Sequence, residues 1–210
     1  PMHPEQVLLR SVRRFLGGCA RIVGEIGLQL SRQPARARRL RRRIYESRVL
    51  PVSARLPDLE KKLDYDRFPD NTPENVQLLV DGLQSIRWRL QNLDLTYDRA
   101  ARESPELMQA IAPLNETWRT HVQDLLQTWT RQVAAGDTVN DKAMSTDVSM
   151  PLLQQLDDLR KSRTMDDLDD RALQHLYTVT GSTQSLLEAV RRLDDSMTQI
   201  NWHQWSAERF

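Results

Sequence analysis

Between Val76 and Tyr97 apolar side chains recur at alternating steps of three and four: Val76, Leu79, Leu83, Ile86, Leu90, Leu93 and Tyr97. Only an α-helix puts such a series on one face, and a seam about three heptads long needs a partner helix to cover it. The segment also has a start signal, Thr72-Pro73-Glu74, with an N-cap hydroxyl, proline at the first helical position and an acid in the first turn. Ser104-Pro105-Glu106 repeats that chemistry. Behind it the stripe Leu107, Ile111, Leu114, Trp118, Val122, Leu125 and Trp129 runs on to Gly136, with Pro113 expected to kink the helix or displace its start.

The same spacing governs both ends of the chain. Leu8, Val12, Phe15, Cys19, Ile22, Ile26 and Leu30 predict a helix over about Pro4 to Ser31, in which Gly17, Gly18, Gly24 and Gly27 are read as points of close helix approach. Pro34 restarts the chain as a helix to about Val49. Between Leu50 and Asn71, Pro51, Pro57 and Pro69 predict short pieces and turns. A short helix over Pro151 to Lys161 is followed by the cap signal Thr164-Met165-Asp166-Asp167, which opens a long helix to about Ile200 along Leu173, Leu176, Val179, Leu186, Val190, Leu193 and Met197. With few aromatics and only 7 glycines, the expected fold is all-α, a helical bundle of about five to seven helices with long antiparallel members. Residues 1–135 and 150–210 should form it together, joined by a polar, aperiodic loop or linker at 136–149.

Charge is distributed unevenly. The formal net charge is +1, yet the first 50 residues hold 12 of the 30 basic side chains and 3 of the 29 acidic ones. The densest stretch, Arg32 to Arg43, includes Arg36, Arg38, Arg39, Arg41, Arg42 and Arg43. Like charges one turn apart repel, so the run calls for an anion. Three sources fit: an anionic lipid surface, the acidic remainder of the chain, or a nucleic acid. The last has least support, because only Tyr45 interleaves the run and no nucleic-acid recognition fold is signalled.

No catalytic constellation emerges. His3, His121, His175 and His203 lie far apart; His121 and His175 fall on or beside apolar seams as core or boundary residues. There is no phosphate-binding glycine loop, nucleophile elbow or paired-cysteine motif, and the lone Cys19 sits on an apolar face. Adjacent acids such as Asp157-Asp158, Asp169-Asp170 and Asp194-Asp195 point about 100° apart on a helix. Asp166 and Asp170 have chelating spacing but match helix-start chemistry. The expectation is a non-enzymatic protein with no cofactor and no metal.

Trp88, Trp118 and Trp129 are expected to pack inside the bundle. Arg87 and Arg89 beside Trp88 could meet an aromatic carboxylate. Trp202, Trp205 and Phe210 lie past the last clear period, either capping the core or sitting at a membrane interface. No apolar run spans a bilayer, since Arg21 and Glu25 interrupt the best candidate, Phe15 to Leu30. The first turn is followed by Arg10, Arg13 and Arg14, which is no secretory leader. A start at Pro1 and an aromatic end at Phe210 suggest a segment of a longer protein.

Three stretches, HPEQVLLRSVRRFLGGCARIV (3–23), YESRVLPVSARLPDLEKKLDYDRFPDNTPENVQLLVDGLQSIRWRLQNLD (45–94) and HLYTVTGSTQSLLEAVRRLDDSMTQINWHQWSAERF (175–210), resemble the soluble region of fusaric acid resistance protein-like (FUSC) inner-membrane proteins, a group that includes aromatic acid exporters. The shared elements are an Arg-Arg-Phe start, an Arg- and Leu-rich helical middle and an aromatic end. This resemblance implies a cytoplasmic helical domain of a bacterial inner-membrane efflux protein, whose partners would be the rest of its own transmembrane protein, anionic lipid head groups and further copies in a homo-oligomer. It would serve in assembly, coupling or regulation of export, with a helical adaptor or small-molecule-sensing module as the alternative. Every transmembrane helix of that family is absent from this chain.

Overall fold

The computed structural model describes residues 2–26, 34–139, 154, 157, 158, 161 and 168–206, and every regular element among them is helical. In order these are α1 (Pro4–Ile26), α2 (Pro34–Ile44), a π-helical turn (Tyr45–Val49), α3 (Leu50–Glu60), α4 (Pro73–Glu103), α5 (Pro105–Ala110), α6 (Ala112–Ala135), α7 (Asp170–Gln199) and a 3-10 turn (Trp202–Trp205). Leu30 and Gly27, most of the expected linker at 136–149 and most of the helix at 151–161 lie outside the described residues.

Local chemistry sets most of the boundaries. Thr72 Oγ1 accepts the Asn75 N–H at 3.2 Å and starts α4 as its sequence predicts. At Ser104 the side chain makes no cap bond. Pro113 displaces rather than kinks: α5 stops at Ile111, and α6 restarts at Ala112 with the proline in its first turn, where no N–H is needed. Gly136, at φ +69°, closes α6 in the left-handed conformation. The α7 cap is Asp169, whose carboxylate accepts the Ala172 N–H at 2.8 Å. That helix therefore begins at Asp170 and not at the expected Thr164.

All seven residues of the α4 seam are buried, and α4 packs chiefly along α7. Cross-links run Asn71 to Asn201, Arg89 to Ser185 and Asn92 to Ser182, so the two helices are antiparallel over their length. A rod made of α2, the π-turn and α3 also lies antiparallel to α4, through Arg41 to Asp94 and Ser53 to Gln84. The beginning of α6 meets the end of α4, where Tyr97 donates to Asn115, and its end at Gly136 meets His203 and Ser206. Consequently α6 and α7 point the same way. The long helices are antiparallel as pairs, α4 with α7 and α4 with α6, as expected of the bundle, while α6 and α7 run parallel.

Prolines 51 and 57 were expected to break the chain, yet α3 runs through both. A helical proline leaves the carbonyl four residues earlier without its N–H partner. For Pro57 that carbonyl is Ser53, and Gln84 Nε2 of α4 donates to it at 2.7 Å. For Pro51 it is Ser47, and Arg14 Nη2 of α1 donates to it at 2.7 Å. Side chains from two neighbouring helices replace the missing backbone donors.

The glycines of α1 separate into two kinds. A Cβ on Gly18 would lie 3.1 Å from Arg48 Cβ and 3.2 Å from Val49 Cγ2, whereas one on Gly17, or on Gly181 of α7, would meet nothing. Gly17→Ala and Gly181→Ala are each expected to stabilise the domain by about 0.5–1 kcal/mol through helix propensity. In urea melts Gly18→Ala should show no such gain; an equal gain there would remove the close-approach reading.

Candidate functional site: an arginine face

Burial sorts α1 sharply. Leu8, Val12, Phe15, Leu16, Cys19, Ile22, Val23 and Ile26 face the core, and burial pushes the Cys19 thiol far above its ordinary value. The exposed positions of this helix are Arg10, Arg13, Arg14 and Arg21, with no other residue type among them. On α2 the exposed positions after Ala35 are Arg36, Arg38, Arg39, Arg42 and Arg43. The Arg14 bond to the Ser47 carbonyl brings the two exposed edges together. Arg48 and Arg55 continue the surface along the rod, on which Glu46 and Asp58 are the exposed acids. Folding thus converts the uneven charge of the sequence into one predominantly arginine layer.

The run from Arg36 to Arg43 divides by helical phase. Ala37, Arg41, Ile44 and Tyr45 occupy the inward stripe, so Arg41 is 0% exposed and its Nε donates to Asp94 Oδ1 at 2.8 Å. Arg38 Nη1 lies 3.5 Å from Asp98 Oδ2, and Arg42 Nε donates to Glu46 at 2.8 Å. Arg36, Arg39 and Arg43 fall at steps of three and four on the outward side. The expectation that six arginines share one anion-contacting role is corrected for Arg41, which is a core residue.

Burial raises the Asp94 carboxyl above its usual value; the Arg41 charge and hydrogen bond pull the other way and only partly offset it. Burial likewise raises the neighbouring Tyr45 phenol, and its OH finds no hydrogen-bond partner among the described residues. His175 donates to or accepts from Glu103 at 3.0 Å, as a boundary histidine should. His121 differs, since its buried Nε2 has no partner among the described residues.

The aromatic tail takes one of its two expected places. Trp202 and Trp205 are each 1% exposed, pack edge to face at 5.9 Å and close the end of the core, which is the capping alternative, so their rings are not presented at the surface. Trp202 Nε1 donates to the Met197 carbonyl at 3.1 Å. Asp70 holds the turn from outside, accepting from Asn201 Nδ2 at 3.0 Å and Gln204 Nε2 at 2.9 Å. Phe210 lies outside the described residues.

Arg87 and Trp88 stack on each other, and Arg89 is engaged elsewhere. Trp118 and Trp129 are in the core as expected, but Trp88 is 60% exposed with the Arg87 guanidinium stacked 4.3 Å from its ring centre. Arg89 ties α4 to α7 through Ser85 and Ser185. A separate groove between α4 and α7, lined in part by Thr96, Arg99 and Thr178, had no counterpart in the sequence reading. Its polar residues flank the α4 seam at helical spacing, as solvated positions also do.

Among the described residues no group of His, Cys, Asp and Glu could hold a metal ion, and no helix is long and apolar enough to cross a membrane. Comparison with protein-family models, with curated proteins and with solved structures found no match. The structure defines the chain as an all-α bundle with an arginine face.

Proposed function

We propose that this bundle is a non-enzymatic domain of a bacterial inner-membrane efflux protein of the FUSC type, docked by its arginine face on anionic lipid at the cytoplasmic side. There it would serve in subunit assembly, coupling or regulation of the export of small aromatic-acid-like compounds. The observation that supports this most is that α1 exposes arginine alone and that Arg36, Arg39 and Arg43 extend the same surface. Near an anionic leaflet each such side chain gains about 1 kcal/mol. The sequence resemblance supplies the family. An adaptor that uses the Val76–Tyr97 seam is disfavoured, because that seam is already buried inside the bundle.

Flotation with vesicles of neutral lipid, with and without phosphatidylglycerol, tests the reading. Binding is expected only with the anionic lipid. Changing Arg36, Arg39 and Arg43 together to Gln should weaken it by about 3 kcal/mol, on the order of a hundredfold, whereas Arg131→Gln on α6 should change little. Binding that ignores anionic lipid content would sink the lipid part, and stronger capture by duplex DNA would reassign the face to nucleic acid.

A further inference from the structure

Where the second half of α4 lies against the first half of α7, the helices leave an open groove of about 680 Å³. That is the size of small-molecule sites, which typically span about 300–1,000 Å³. Thr96, Arg99, Arg102 and Thr178 line it together with the carboxylate of Asp98, with Leu95 as an apolar wall. This place is distinct from the arginine face.

Two chemical properties define what could enter. The first is the direction of the hydroxyl groups: Thr96 Oγ1 donates to the Asn92 carbonyl at 2.7 Å, and Thr178 Oγ1 donates to the Gln174 carbonyl at 2.8 Å. Their protons are spent on the helix backbone, so the oxygens act as acceptors; Thr96 Oγ1 also lies 3.3 Å from Ser182 Oγ, which leaves it one further lone pair for the groove. A ligand must therefore bring donors. The second property is charge. Asp98 is shared by Arg38 at 3.5 Å and Arg102 at 3.3 Å, while Glu103 is shared by Arg99 at 3.8 Å, Arg171 at 4.0 Å and His175 at 3.0 Å. Within the lining itself Arg99 and Arg102 stand against Asp98 as the one carboxylate, which leaves a positive excess. Arginine groups in that state match a further oxyanion.

We infer that this groove binds a small hydroxylated organic anion, of the hydroxy-acid or sugar-phosphate class, with its oxyanion on Arg99 and Arg102 and its hydroxyls donating to Thr96 and Thr178. Both arginines are well exposed in pairs that contribute little to stability, so Gln variants keep the fold.

The test is an amide NMR titration of the whole chain with gluconate, glucose 6-phosphate, glucose and benzoate. Saturable shifts around Thr96, His175 and Thr178 are expected with gluconate, glucose 6-phosphate or both, and the two arms separate a carboxylate from a phosphate ligand. The double variant Arg99→Gln/Arg102→Gln should weaken binding at least about tenfold, and Thr96→Val/Thr178→Val should also weaken it. Arg36→Gln/Arg39→Gln should bind as the parent does. The inference is overturned if neither anion gives saturable groove shifts below about 10 mM, if glucose binds equally well, if benzoate alone binds, or if the Arg99/Arg102 variant binds unchanged. Since none of these readouts involves vesicles, the groove and the lipid-facing surface stand or fall separately.

Discussion

Asp94→Ala is expected to destabilise the domain by about 3–5 kcal/mol, because it takes away the carboxylate to which the fully buried Arg41 Nε donates. The pair is costly from the outset: burial, together with the nearby Asp98 charge, outweighs Arg41 in shifting the Asp94 carboxyl upward. Replacing both partners by apolar residues of similar volume, Arg41→Met with Asp94→Leu, should therefore be near neutral or stabilising. Urea melts of the two singles and the double give the coupling directly. If Asp94→Ala costs less than about 1 kcal/mol, Arg41 reaches water and belongs with the exposed arginines after all. The sign of the pH effect follows from the same burial. A carboxyl whose pKa is higher folded than unfolded favours folding below the unfolded value, and that contribution is lost as pH rises through the folded one.

Trp202→Ala should cost about 3–5 kcal/mol, the range for removing a fully buried large aromatic and leaving a cavity. Its ring packs against Trp205 and its indole N–H satisfies the Met197 carbonyl at the end of α7, so truncation also orphans a carbonyl. A membrane-interface tryptophan would behave differently, giving a small change in solution stability and a loss of vesicle binding. A midpoint unchanged in urea, with unchanged slope, would therefore return this turn to the membrane reading.

What was legible in the sequence is what local spacing encodes. The α4 seam, the Thr72 cap and the Gly136 stop depend on residues within a few turns of one another, and each is found where the pattern puts it. Trp88 and Arg41 carried a usable signal that was missed. Trp88 lies two residues past Ile86 and so off the seam, whereas Arg41 falls four residues past Ala37 and three before Ile44, on the inward stripe. Other features had no local signal. The donors that rescue Pro51 and Pro57 come from α1 and α4, and the aperiodic tail around Trp202 gains its place only from the end of the core. Thr164 carried a cap signal as good as that of Asp169. The groove depends on which polar positions of α4 come to face those of α7.

The proline repairs in α3 bear on the order of folding. In isolation the rod from Pro34 to Glu60 carries dense positive charge on α2 and two carbonyls that its own backbone does not satisfy, so it is a poor helix by local energetics. Arg14 and Gln84 reach those carbonyls only once α1 and α4 are in place. The rod is thus expected to consolidate after the contacts of α4 with α7, and substitutions in it should mainly speed unfolding. The display of Arg36, Arg39 and Arg43 is consequently assembled last and released first, by loosening a single layer while the rest of the bundle stands.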